Sequence, residues 1–229
     1  PADNLPDEPD PEVSRLKSEL RMVEAIEAAV RFYEQPPEQS MLVQTEWVDL
    51  RLTPADWAEA FASVEDGTPH NEAHPQIRET ITEILVDRAL QGSAGGVPEA
   101  VLRAELAAHP DLHRALYRAW PMINATDLVG DLWTVPAYLR LCAPWLTTDQ
   151  LQRLQRPAAG ARTTADLPLL DAAHHRLGDA DRARRAQRRR AERSAGRRGG
   201  EPVIDEISAA DADPEGVSPM LRHAALREA

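Results

Sequence analysis

The chain has 229 residues, 42% of them hydrophobic but only 4% aromatic, with 19 prolines and a formal net charge of −12. That length allows one substantial core or two small ones, and the single cysteine, Cys142, excludes an internal disulfide and fits a reducing, cytoplasmic setting. No signal peptide and no apolar run of about 18 residues is present, so the sequence predicts no membrane partner.

The charge is unevenly placed. Residues 1–178 hold 15 basic against 28 acidic side chains, residues 182–198 hold nine arginines against Glu192, and the stretch from Gly199 holds seven acids against Arg222 and Arg227. An acidic body, a basic run and an acidic tail follow in order. Pro1, standing where an initiator Met would be, leads us to expect a processed or excised piece.

Residues 1–12, with five acids and four prolines, read as a disordered, solvated lead-in. From Pro11 the sequence predicts a helix that forms one long amphipathic element over 13–35. Val13, Leu16, Leu20, Val23, Ile26, Val30 and Tyr33 recur at steps of three or four, and Pro36-Pro37 ends it. Residues 41–52 are rich in strand formers and partly alternate, which predicts a short hairpin. Thr53-Pro54 opens a helix with Trp57, Ala60 and Phe61 on one face, and 63–75 reads as a polar loop. Ile77, Ile81, Ile84 and Leu85 mark the next helix, expected to end near Gly95-Gly96.

Short helices follow over 98–108, 111–119, up to Trp133 with Asn124 or Thr126 as cap, 136–142, 148–156 and 165–177, with Gly178 as the last C-terminal cap. Beyond Gly178 the apolar periodicity fails; Arg182–Arg198 is expected to be helical in its first half and the remainder flexible. The fold class is therefore mainly α: an irregular multi-helix arm over 36–178 with a small β-hairpin, and a charged, flexible segment over 179–229.

Candidate chemistry is sparse. A phosphate-binding loop needs exposed glycine amides followed by a lysine, and the only lysine is Lys17, inside a helix. His70, Glu72 and His74 do not match a metal-binding helix, because the acid does not directly follow the first histidine and Pro75 intervenes; a surface or capping role is expected. His109 and His113, split by Pro110, and the adjacent His174 and His175 read as rim histidines. Asp127 and Asp131 lie one turn apart but have no nucleophile beside them, and Cys142 reads as a small buried residue, so no catalytic or metal-binding residue is assigned.

Trp47, Trp57, Trp120, Trp133 and Trp145 are core or interface anchors, with Trp47 and Trp57 the two expected to face a partner. The run Arg182, Arg184, Arg185, Arg188, Arg189, Arg190, Arg193, Arg197 and Arg198 is the candidate for salt-sensitive attraction to DNA or RNA phosphates. It has no interleaved aromatics to stack on bases. A solvated linker that pairs with the acidic body is the competing reading of the same run.

Two strings resemble one family: Asp10-Pro-Glu-Val-Ser-Arg-Leu-Lys17, continued by Arg21-Met-Val-Glu24, and Thr164-Ala-Asp-Leu-Pro-Leu-Leu-Asp171 running on to Gly178. Between them His70-Asn71, Trp120-Pro121, Asp127-Leu-Val-Gly-Asp-Leu-Trp133 and Ala143-Pro-Trp-Leu146 fall in the same order. Over residues 10–178 the chain resembles the HelD-like superfamily I helicases of actinobacteria. One departure is Arg162-Thr163, where the resemblance leads us to expect a tryptophan.

The resemblance implies an insert that binds core RNA polymerase and opens its clamp, within a motor that uses ATP and Mg to release polymerase from nucleic acid. In some members it also implies displacement of rifamycin antibiotics. For this chain alone it implies no ATPase activity and no cofactor of its own. It further implies that the acidic tail, with Glu201, Asp205, Glu206, Asp211, Asp213 and Glu215, acts as a phosphate mimic in polymerase channels, steered by charge. A free-standing adaptor and a basic-tailed nucleic-acid-binding module are the alternative readings.

Overall fold

Asp10 starts the first helix: its Oδ1 accepts from the backbone N–H of Glu12 at 2.8 Å and of Val13 at 3.4 Å, while Pro11 occupies the first turn of α1 (Pro11–Lys17). In this computed structural model, which describes residues 5–92 and 97–196 and side chains as far as 189 apart from 187, the expected long helix is two. Ser18 closes α1 by donating from Oγ to the Ser14 carbonyl at 2.7 Å, Leu20 is left 85% exposed, and α2 (Arg21–Tyr33) begins afresh. The break rotates the apolar face, so Met22, Ala25, Ile26, Ala29, Val30 and Tyr33 are buried and Val23 is not. The small alanines let α2 approach its neighbours closely.

The hairpin pairs β1 (Met41–Gln44) with β2 (Asp49–Leu52) antiparallel, Met41 opposite Leu52 and Gln44 opposite Asp49, and it turns Val43, Leu50 and Leu52 inward. Thr53 and Asp56 form a reciprocal capping box at the start of α3 (Pro54–Ala62). The expected loop over 63–75 contains a 3-10 turn, His70–Glu72, with His70 and Asn71 buried, leading into α4 (His74–Gln91). With α5 (Glu99–Leu106) and α6 (Pro110–Ala119), these elements enclose one core around Trp57, Ile77, Ile81, Leu85, Leu102, Leu116 and Trp120.

The chain then returns to α1 and α2. Asn124 caps α7 (Ala125–Thr134), and α8 (Pro136–Cys142), α9 (Thr148–Leu154) and α10 (Leu167–Leu177) complete a second core around Met22, Ile26, Val30, Leu132, Trp133, Tyr138, Leu139 and Leu169. Within it Tyr138 donates to the Ala29 carbonyl at 2.8 Å. Gly178 ends α10 with φ +73° and ψ 178°, an extended positive-φ conformation rather than the left-handed helical one. The last described element, α11 (Ala180–Gly196), runs further than the half-helix expected, since alanine and arginine are both strong helix formers.

The protein is thus mainly α with one small antiparallel hairpin, as the sequence predicts. Among the described residues no helix is long and apolar enough to cross a membrane.

Candidate partner-binding surfaces

The lead-in is partly tied down rather than solvated throughout. Glu8 accepts from Lys17 Nζ at 2.7 Å and from Thr163 Oγ1 at 3.0 Å, and the Pro6 carbonyl accepts from Thr164 N–H at 3.0 Å. Lys17 is fully buried, with Nζ also 3.2 Å from Asp166 Oδ1 and 5.3 Å from the Trp133 ring centre. Asp166, itself fully buried, takes two bonds from Arg156 (2.6 and 2.7 Å), one from Trp133 Nε1 (3.1 Å) and one from the Thr163 N–H (2.8 Å). Burial alone would raise the Asp166 carboxyl, but Arg156, the Thr163 N–H and Lys17 outweigh it and hold the group below its ordinary value. The two strings that carry the family resemblance therefore touch through Lys17 and Asp166. As the only lysine, Lys17 is held by two carboxylates and does not fit a phosphate-binding loop.

A second polar cluster joins the two cores. His70 is fully buried, its Nδ1 3.1 Å from Glu34 Oε1 and its Nε2 2.8 Å from the Pro121 carbonyl. Its imidazole stacks on Trp120 at 4.7 Å, and Trp120 Nε1 donates back to the His70 carbonyl at 2.8 Å. Arg176 grips Glu34 at 2.7 and 2.8 Å and Glu27 at 3.0 Å. Asn71 pairs with Ile123 like a strand neighbour, donating to its carbonyl and accepting from its N–H at 2.9 Å each, and it also donates to the Gly178 carbonyl at 3.3 Å. His70-Asn71, Trp120-Pro121 and Gly178 thus meet at one place.

This overturns the surface reading of the first histidine pair: His70 and His74 are both buried, and desolvation pushes His74 down to about 3. Asp131 is buried and Asp127 exposed, so they do not share a site. Burial raises the Cys142 thiol to about 12, which leaves it a core residue and not a nucleophile. His109 caps α6 through Nδ1, while its Nε2 lies 2.8 Å from the Gln44 carbonyl; His174 and His175 are exposed. Among the described residues no group of three His, Cys, Asp or Glu side chains is placed to hold a metal ion.

Of the two tryptophans expected to face a partner, the structure presents one. Trp47 is 54% exposed at the hairpin tip, where Thr45 Oγ1 donates to the Val48 carbonyl and accepts from the Val48 N–H, and Glu105 accepts from the Glu46 N–H at 2.7 Å. Trp57 is corrected: at 2% exposure it packs edge-on against Phe61 in the core, because α3 turns the face it shares with Ala60 and Phe61 inward.

The basic run forms most of α11. Asp179 Oδ1 accepts from the Arg182 N–H at 2.9 Å at its start, and Arg182, Ala183 and Ala186 line a cleft with Asn71, Glu72, His74 and Pro75. Ala183 is buried and Ala186 half-buried, whereas Arg182, Arg185, Arg188 and Arg189 are exposed. Arg184 is half-buried, 3.7 Å from Asp181. Arg190 and Arg193 belong to the helix, but their side chains lie outside the described ones, as do residues Arg197 and Arg198 and the acids Glu201, Asp205, Glu206, Asp211, Asp213 and Glu215.

No protein-family model matches the chain, and neither does any curated protein.

The sequence reading missed Lys17, Asp166, Asn71 and Arg176 as structural centres. A signal for the first was available: Lys17 follows Leu16 directly and lies four residues from Val13, on an otherwise apolar helix face.

Proposed function

We propose that this chain is the RNA polymerase-binding insert of a HelD-like motor, helping to open the clamp and release polymerase from nucleic acid while ATP and Mg act elsewhere in the motor. The observation that carries the reading is the Lys17–Asp166 contact, with the Pro6–Thr164 bond beside it. An arm inserted into a motor domain must leave and re-enter its host at neighbouring points, and the two resembling strings lie side by side in this way. Two of the intervening strings, His70-Asn71 and Trp120-Pro121, are supporting observations, since they occupy the joint between the two cores. On this reading Trp47 is a polymerase contact, the chain hydrolyses no ATP, and the protein works in the cytoplasm, with rifamycin displacement a property of the whole motor.

The test is capture of purified core RNA polymerase from an actinobacterium by the full chain, wild type and Trp47→Ala. Exposed aromatic anchors carry 2 kcal/mol or more in interfaces, so affinity should fall about 30-fold in the variant. No capture by the wild-type chain, or equal capture by both, defeats respectively the polymerase reading or the role of Trp47. A second reading, nucleic-acid binding through the basic run, is favoured by one observation: Arg182, Arg185, Arg188 and Arg189 of α11 are exposed beside an otherwise acidic body.

A further inference from the structure

We infer that the solvent face of α11 is a track for a nucleic-acid phosphate backbone, contacted by Arg182, Arg185, Arg188 and Arg189 without readout of bases. The inference rests on the second reading above and makes it specific. Arg182, Arg185 and Arg189 stand at i, i+3 and i+7, with Arg188 beside them, and all four are exposed. At 1.5 Å per residue they span about 10.5 Å of helix axis. One strand of a duplex fits about three phosphate spacings along that rise, which sets about four phosphates against the four arginines.

The chemistry of the face selects a polyphosphate over an acidic protein. Between positions 180 and 189 the only apolar residues are Ala180, Ala183 and Ala186, and the last two turn toward the body. A protein partner would find no aromatic or large aliphatic anchor there, and such anchors supply most interface energy. A phosphate backbone needs none, because release of its condensed counterions drives association. For the same reason the face offers nothing to stack on a base.

Two further features favour the track. Residues 1–178 carry 15 basic against 28 acidic side chains, so a polyanion is repelled by the body and steered to the one basic element. The helix is also seated: Asp179 caps its first turn, and Ala183 and Ala186 rest beside the 3-10 turn that His70 and Asn71 anchor. Arginines on a supported helix lose less freedom on binding than arginines on a free tail.

The experiment measures anisotropy of a labelled mixed-sequence DNA duplex with the full chain between 50 and 200 mM salt. Each phosphate contact contributes about 0.9 to the slope of log K against log salt, so the variant R182Q/R185Q/R188Q/R189Q should lose about 3.6. About 150-fold of the salt-induced weakening over that range then disappears. The pairs R182Q/R185Q and R188Q/R189Q should each lose about half that slope, which keeps the test valid if the fourfold variant unfolds. Lysine at all four positions should keep the slope, and an unrelated duplex sequence should bind equally.

If the wild type binds but the fourfold variant and both pairs change the slope by less than about 0.5, the track is wrong while nucleic-acid binding through other arginines stands. No binding at 50 mM salt defeats both. Equal slope loss from Arg162→Gln, an exposed arginine on the body, or equal displacement by polyglutamate, overturns the track as a mere net-charge effect.

Discussion

Replacing Lys17 by Met tests whether the two ends of the described fold are held together by buried charge. Lys17 is fully buried between Glu8 and Asp166, and Met matches its length without its charge. Removing one partner of a buried ion pair costs about 3–5 kcal/mol, chiefly because the other is left uncompensated. Here the loss is shared unevenly. Asp166 keeps Arg156, the Trp133 indole and the Thr163 N–H, whereas Glu8 keeps only the Thr163 hydroxyl among its two bonds and lies at the edge of the fold, where water reaches it.

Lys17→Met should therefore fall at the low end, about 3 kcal/mol. Asp166→Ala should reach the high end, about 5 kcal/mol, because Arg156, Trp133 Nε1 and the Thr163 N–H all lose their acceptor. For a chain of this size 1 kcal/mol moves Tm by about 2–4 °C, giving drops of about 6–12 °C and 10–20 °C. Urea unfolding followed both by far-UV circular dichroism and by tryptophan fluorescence would measure the cost, with Trp133 a local reporter beside both charges. The double variant should cost less than the sum of the two, by about 0.5–3 kcal/mol. A cost below about 1 kcal/mol for Lys17→Met, or strict additivity in the double variant, would refute the view that these charges are coupled in the interior.

Gly178→Ala should cost about 1–3 kcal/mol, since φ +73° with ψ 178° is essentially a glycine conformation and a Cβ would lie 2.7 Å from Pro69 Cβ; an unchanged Tm would disprove the strain. Asn71→Ala should cost about 1–3 kcal/mol for each Ile123 backbone group left unpaired, and Asn71→Asp more, because a carboxylate would face the Ile123 and Gly178 carbonyls. Urea midpoints for the two variants that fall in the opposite order would contradict this geometry. Acid should destabilise the fold in two stages. His74, lowered to about 3 by desolvation, stays neutral when folded, so its contribution is complete above its unfolded value near 6.5 and falls by about 1.4 kcal/mol per pH unit as pH drops toward 3. Asp56, lowered to about 2 by Arg88, contributes fully above 3.8 and loses that contribution as pH falls toward 2. The difference between wild-type and His74→Leu stability should shrink from pH 7 to pH 5; a constant difference would show that His74 is not held neutral.

What the sequence revealed and what it concealed divide along the range of the interactions. The starts at Asp10-Pro11, Thr53-Pro54 and Asn124 and the stop at Gly178 were legible, because a cap bonds to backbone two to four residues away. The break at Ser18–Leu20 was concealed by an apolar repeat that runs through it unbroken. His70 and Asn71 looked like loop residues, since their partners Trp120, Pro121 and Ile123 lie about 50 positions on. Trp57 could have been assigned to the core from its own helix face, shared with Ala60 and Phe61; grouping it with Trp47 by nearness in sequence gave the wrong orientation. The basic helix was visible as charge, but its seating through Ala183 and Ala186 depends on the turn at His70–Glu72.

The joint between the cores is built from directional polar bonds, and this bears on how an arm could work. Apolar attraction is non-directional, whereas Asn71 meets both backbone groups of Ile123 in only one alignment. His70 likewise spans Glu34, just past the end of α2, and Pro121 from the return segment while stacked on Trp120, and Arg176 brings the end of α10 to the same Glu34. Four segments from different parts of the chain are thus fixed at one point. Burial would raise the Glu34 carboxyl, yet His70 and Arg176 together hold it below its ordinary value, so it stays ionised and the clasp stays closed at neutral pH. A partner pulling on the hairpin tip at Trp47 would load this joint before separating the cores, and α11, seated on the same 3-10 turn, would move with it. If the proposed polymerase and phosphate contacts hold, this register-specific joint is the element that would carry force between them.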